Sequence, residues 1–214
     1  MLANKTYRKI IVTGADSAIF LQGQLSCDIN TLDPDQSIWG AYCNIKGRVL
    51  ALMQVTRPHD DRFELQLPTD LLEHIIKELR KYGMFSKISI TEMPAAEYNG
   101  SIDIMDLINN KIPMIFANTS GIFLPHYINL PQLGAVNFNK GCYKGQEIIA
   151  RMEYRGNIKK HLRQYTIPRD TGTALPQPAD KLYDAKNQDK PIGTVVLAAE
   201  NNDTYVVLAE MQDK

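Results

Sequence analysis

Between Arg62 and Thr91 the apolar residues change period twice, and this limits what the chain can fold into. In RFELQL (62–67), Phe63, Leu65 and Leu67 alternate with polar residues, the pattern of a strand with one buried face. Leu71, Leu72, Ile75, Ile76, Leu79 and Tyr82 then follow helical spacing and form one apolar stripe. Asp70 and Glu73 have capping-box spacing at its start, and Gly83 suits a left-handed stop. FSKISIT (85–91) returns to strand alternation.

Upstream, RKIIVT (8–13) reads as a strand ending at Gly14, and Asp16 is placed to cap a helix through Ile19, Phe20 and Gln24. Residues 38–43 and 48–56 read as a hairpin turning at Asn44-Ile45-Lys46-Gly47. The order strand–helix–strands–helix–strand predicts an α+β sandwich with helices on one face of an antiparallel sheet. A short helix around Ile104–Ile108 and a long ordered loop, PHYINLPQLGAVNFNKG, follow. After Tyr154 the pattern shifts to short strands (HLRQYTI, DKLYD, PIGTVVLA, TYVVLAE) that predict a small antiparallel β-barrel or sandwich. The expected organisation is an α+β domain over 1–155 and a β domain over 156–214.

Charge and cysteines narrow the function. Lys plus Arg and Asp plus Glu number 24 each, so no cation surplus exists to coat nucleic acid. No apolar run reaches membrane-spanning length, and MLANKTYRKIIVTG lacks a signal-peptide core. The expectation is the mature N-terminus of a soluble, cytoplasmic protein. Cys27, Cys43 and Cys142 are odd in number and lack CxxC spacing, and His59, His74, His126 and His161 are scattered, so no metal site is expected. GADSAIFLQG lacks the dinucleotide-binding glycines, and no phosphate-binding GxxxxGK[ST] occurs.

One segment invites chemistry: KGCYKGQE (140–147). Gly141 and Gly145 permit tight turns, Lys140 and Lys144 flank Cys142, and QEIIARMEY can start a helix just downstream. Cations and a helix N-terminus both favour thiolate. The alternative is a buried structural cysteine. From Lys140 to Arg163 the stretch is basic: Lys140, Lys144, Arg151, Arg155, Lys159, Lys160 and Arg163 face only Glu147 and Glu153. A carboxylate tail or a phosphate suits such a surface, and a solvated rim explains it equally.

KGCYKGQE resembles the KGCYTGQE box of the YgfZ proteins, with Lys144 where Thr is usual. FLQGQLSCDI (20–29), AYCNIKGRVL (41–50), KYGMFSKISI (81–90), IPMIFANTSGIFLPHYINL (112–130) and ARMEYRGNIKKHL (150–162) are similar to that family in the same order. The resemblance implies an aminomethyltransferase-like, folate-binding α+β body with a C-terminal antiparallel β-barrel. It implies tetrahydrofolate or a related reduced folate as ligand. It also implies partnership with iron–sulfur enzymes or assembly proteins, in the assembly or repair of clusters that include those of tRNA-modifying enzymes. The functional thiol maps to Cys142, and Lys140, Tyr143, Gln146 and Glu147 complete the box. Arg151 and Arg155 become candidates to hold the folate glutamate, and Tyr7 to contact the pterin.

Two departures stand out. Aminomethyltransferases carry paired aspartates after a Gly-Gly turn in the stretch resembling NIKGRVLALM, where this chain has Ala51 and Leu52. An apolar pair cannot take a proton, so aminomethyl transfer is expected to be lost. Only about twenty residues separate KISIT from NNKIPMI, short for a packed unit, whereas YgfZ proteins often have a much longer segment. Three functions follow: a folate-binding iron–sulfur accessory protein, a folate-dependent transferase, or a scaffold that has lost folate.

Overall fold

Strand β1 (Thr6–Thr13) sits inside an antiparallel sheet of order β2-β3-β4-β1-β5, formed with β2 (Ser37–Cys43), β3 (Val49–His59), β4 (Arg62–Pro68) and β5 (Ser89–Glu92). The two-residue β6 (Gly100–Ser101) pairs with the start of β1. The structure, a computed structural model, describes residues 6–34, 36–170, 174–184 and 187–213. The expectation of a mature N-terminus at Met1–Lys5 lies outside them.

The register explains the alternation. Ile10 pairs with Leu65 and Leu65 with Val55, and all three are fully buried. On the opposite face Lys9 pairs with Gln66 and Gln66 with Gln54. There Lys9 meets Glu64 at 2.9 Å and the Tyr98 hydroxyl donates to Gln66 at 2.7 Å. Helix α1 (Ser17–Gln24) packs on β4, and α2 (Leu72–Tyr82) on β1 and β5. Leu72, Ile75 and Leu79 of α2 are buried as the stripe requires, each contributing about 1.5–3 kcal/mol.

Several local expectations are corrected. The capping box at Asp70 and Glu73 does not form: a 3-10 turn (Thr69–Leu71) leads into α2, whose N-cap is Leu71 without a side-chain cap bond. Asp16 does precede α1, but its carboxylate accepts from the Lys87 backbone N–H at 2.7 Å and does not cap the helix. Gly83 ends α2 at φ −89°, so it is not left-handed. A Cβ there would lie 2.7 Å from Ile88 Cδ1, so any larger residue would have to turn the end of that side chain aside. Tyr82 leaves the buried stripe, and β5 is confined to Ser89–Glu92, with Phe85 almost wholly exposed.

Helix α3 (Ile104–Asn109) is capped by Asp103, whose carboxylate accepts from the Asp106 N–H at 3.1 Å. The long loop is ordered because Ile128, Leu130 and Ala135 are fully buried. Helix α4 (Gln146–Arg155) then leads to a second antiparallel sheet of order β7-β10-β9-β8. Its strands are β7 (Lys160–Pro168), β8 (Lys181–Asp184), β9 (Asn187–Asn201) and β10 (Thr204–Gln212). The expected barrel is thus an open sheet among the described residues. Closure would require β7 and β8 to pair, and β8 is a four-residue edge strand with an irregular register. One apolar core runs through both sheets, joining Ile10 and Leu65 to Leu197 and Leu208.

Candidate functional site

The cysteine loop is fastened at both flanks. Lys140 is 8% exposed, and its ammonium donates to the carbonyls of Gln22, Leu25 and Cys27, each at 2.7 Å. These carbonyls lie at the C-terminal end of α1, which carries no basic residue in its own last turn. Lys140 therefore supplies, from the far side of the sequence, the cation that a helix C-terminus favours. Burial brings its ammonium down to about 8, against the opposing pull of Cys27 and Asp28.

Lys144 holds the other flank. Its backbone N–H donates to Gly23 O at 3.2 Å. Its ammonium donates to the Tyr42 hydroxyl at 2.6 Å and stands 3.5 Å from Glu78. It lies 4.1 and 4.3 Å from the Tyr42 and Tyr82 ring centres, a cation held between two aromatic faces. Burial lowers its pKa, opposed by Glu78. This contact explains why Tyr82 departs from the helix stripe.

Gly145 is left-handed at φ +85°, and a Cβ there would sit 2.4 Å from Asn44 O in the β2–β3 turn. Gly141 has open space around it and no positive φ, so of the two glycines that permit tight turns only Gly145 is held to that freedom. The Tyr143 ring is buried beneath the loop, with Lys140 Nζ 5.2 Å from its centre. Burial pushes its phenol up, and its hydroxyl is buried without a partner.

Cys142 is exposed at the crest of this clamped loop, while Cys27 and Cys43 are buried. The latter thiols are each pushed up to about 12 by burial. The expected helix does begin just downstream, at Gln146. Both flanking ammoniums are engaged with carbonyls, Tyr42 and Glu78, so exposure is what sets this thiol apart. It is a free, exposed thiol between two anchored flanks.

The remaining candidates divide. Gln146 is half-buried at the start of α4, and Glu147 is exposed, 4.0 Å from Arg151. Arg151 and Arg155 are exposed and flank a shallow depression of about 200 Å³ with Tyr154. That is smaller than the roughly 300–1,000 Å³ of ordinary ligand pockets. Tyr7 is packed at the start of β1, where burial beside Tyr98 and Asp106 raises its hydroxyl to about 12. No hydrogen bond, ion pair or ring contact among the described residues ties Tyr7 to the cysteine loop. Sequence reasoning missed Tyr42, Glu78 and Tyr82, for which the only signal was an aromatic at the end of a stripe.

Ala51 and Leu52 lie on β3 opposite Tyr42 and Ala41, and both are fully buried. Both side chains belong to the apolar core. His126 is also buried, with Nε2 3.1 Å from Glu153 and Nδ1 without a partner. Burial lowers its pKa, opposed by Glu153. No group of three His, Cys, Asp or Glu side chains gathers to hold a metal ion among the described residues.

These two sheets with their helices make an aminomethyltransferase-like fold. The glycine cleavage system aminomethyltransferase T of Bartonella henselae matches it with a TM-score of 0.71, over 96% of this chain and 76% of that one, at 14% identity. At that identity the likeness concerns the fold alone. No family model matches the chain. In sequence the chain is similar to proteins named YgfZ, the family its cysteine box resembles. It is 27% identical to the tRNA-modifying protein YgfZ of Escherichia coli O157:H7, over 92% of this chain and 80% of the relative. It is 26% identical to the YgfZ of Colwellia psychrerythraea, over 72% and 67% respectively. The Escherichia coli alignment is 265 positions long against a chain of 214 residues, so the relative carries residues with no counterpart here. No helix among the described residues is long and apolar enough to cross a membrane.

Proposed function

We propose that this protein is a folate-binding accessory factor that supports iron–sulfur enzymes, among them tRNA-modifying ones, through Cys142. The observation that carries the reading is the exposed thiol on a loop clamped by Lys140 and Lys144. Relatives named as tRNA-modifying proteins and an aminomethyltransferase-like fold support it. On this reading residues 1–155 are the folate-binding body and 156–214 a β unit packed on it. The protein acts in the cytoplasm.

Aminomethyl transfer is not part of the reading. An acid at residue 51 or 52 would be charged inside the core, and the side chains present hold no proton. Folate, when bound, supplies a reduced pterin and a glutamate carboxylate. Arg151 and Arg155 would take the carboxylate, with Tyr154 beside them, at the depression on α4. Tyr7 contacts the pterin only if its buried ring is uncovered, which ranks it below the arginines.

Titration of the purified chain with tetrahydrofolate tests the ligand. Complementation of a strain lacking the protein, with Cys142→Ala, tests the thiol. Saturable folate binding together with failed complementation is expected. Absence of binding with normal complementation by the native chain would leave the scaffold reading in its place.

A further inference from the structure

The basic stretch after the cysteine box does not form one surface. Lys140 and Lys144 turn inward, while Lys159 and Lys160 join lysines from later strands. Lys159, Lys160 at the start of β7, Lys181 of β8 and Lys190 of β9 line one cavity of about 420 Å³, walled also by Tyr127 and Thr194. Among the described residues only Lys160 has a carboxylate partner, Glu210, at 2.9 Å. Lys181 donates to the Thr194 hydroxyl at 3.1 Å. Among the described residues, Lys159, Lys181 and Lys190 form no ion pair.

Like charges converging in a concave wall repel one another and focus a positive potential into the space between them. A chain with 24 cationic and 24 anionic side chains has gathered four cations here, around a volume suited to a small molecule. From this we infer that the cavity binds a small ligand bearing adjacent phosphate groups. The lining holds lysines and no arginine. The arginine fork grips carboxylate and phosphate alike, whereas a lysine ammonium acts as a compact point charge, so this lining selects by density of negative charge, which is highest on adjacent phosphates. The Tyr127 ring, with Lys160 Nζ 5.6 Å from its centre, offers a flat wall to an organic group carried by the phosphates. The zero net charge of the chain disfavours a nucleic-acid backbone as the occupant. The inference is separate from the cysteine loop and stands whether or not folate binds.

Calorimetric titration of the full chain with inorganic pyrophosphate at low salt tests it. Binding should weaken steeply as salt rises. Lys181→Ala and Lys190→Ala, both at exposed positions, should each weaken it about two- to fivefold, the order of one solvent-screened ion pair, and the double variant about tenfold. Lys46→Ala, in the distant β2–β3 turn, should leave it unchanged, and melting curves would show all variants folded. A parallel titration with ADP separates a free diphosphate from a nucleotide, tighter ADP binding placing the organic group on Tyr127. The inference is overturned if millimolar pyrophosphate fails to bind, or if the Lys181/Lys190 double variant binds it unchanged. It is equally overturned if a tri-γ-glutamate peptide binds more tightly than pyrophosphate.

Discussion

Replacing Lys140 by Met probes what holds the cysteine loop to the body of the protein. Met keeps an unbranched apolar stem, one atom shorter, but removes the ammonium's three donors. The carbonyls of Leu25 and Cys27 are then buried without their partner, while that of Gln22 is only partly buried and can turn to water. At about 1–3 kcal/mol for each of the two buried acceptors left unsatisfied, the loss is about 2–6 kcal/mol, a large share of a typical domain's reserve. Relief of the ammonium's own burial, visible in its pKa near 8, pulls the result toward the lower end. Urea melts at pH 7 would read the stability, and hydrogen exchange across 139–145 would read the loop. Exchange there should accelerate more than in the β1–β4 pairing. Equal stability within about 0.5 kcal/mol together with unchanged exchange would refute the clamp.

Cys142→Ala should leave the melting transition in place, because no buried volume is lost, yet fail to support iron–sulfur enzymes in cells. With the native thiols, Cys142 should alkylate at least about a hundredfold faster than Cys27 or Cys43, whose pKa values near 12 leave almost no thiolate at pH 8; equal rates mapped by mass spectrometry would exclude the nucleophile role. Alanine at both Arg151 and Arg155 should weaken tetrahydrofolate by only about two- to fivefold, since exposed ion pairs contribute about 0–1 kcal/mol, and unchanged affinity would move the carboxylate contact elsewhere. Gly145→Ala should destabilise by about 1–3 kcal/mol, from its left-handed φ and the collision with Asn44 O, as thermal melts would show. His126 has its pKa lowered on folding, so its contribution is complete above the ordinary value of about 6.5 and is lost as pH falls toward the depressed one; melts from pH 7.5 to 5 should show that loss, reduced in His126→Gln.

Much of the architecture was legible because it follows from short-range pattern. Phe63, Leu65 and Leu67 alternate, and the pleat sends all three into the core. The stripe on α2 and the turn at Asn44–Gly47 are likewise decided by neighbours a few residues apart. The order of letters in KGCYKGQE was enough to point to the loop and its thiol. Other features depended on distant partners. Gly83 reads as a left-handed stop until Ile88 is packed against it, and Asp70 reads as a cap until a 3-10 turn takes the helix start. The lysines beside Cys142 read as thiolate-stabilising charges, but Lys140 finds carbonyls more than a hundred positions away and Lys144 finds Tyr42 and Tyr82. Whether the second sheet closes, and which lysines share a cavity, also needed strand pairing in three dimensions. Period is set by the geometry of one strand or one helix turn, so sequence carries it directly. The partner of a buried charge is set by which surfaces meet when the core closes, and only the tertiary structure decides that.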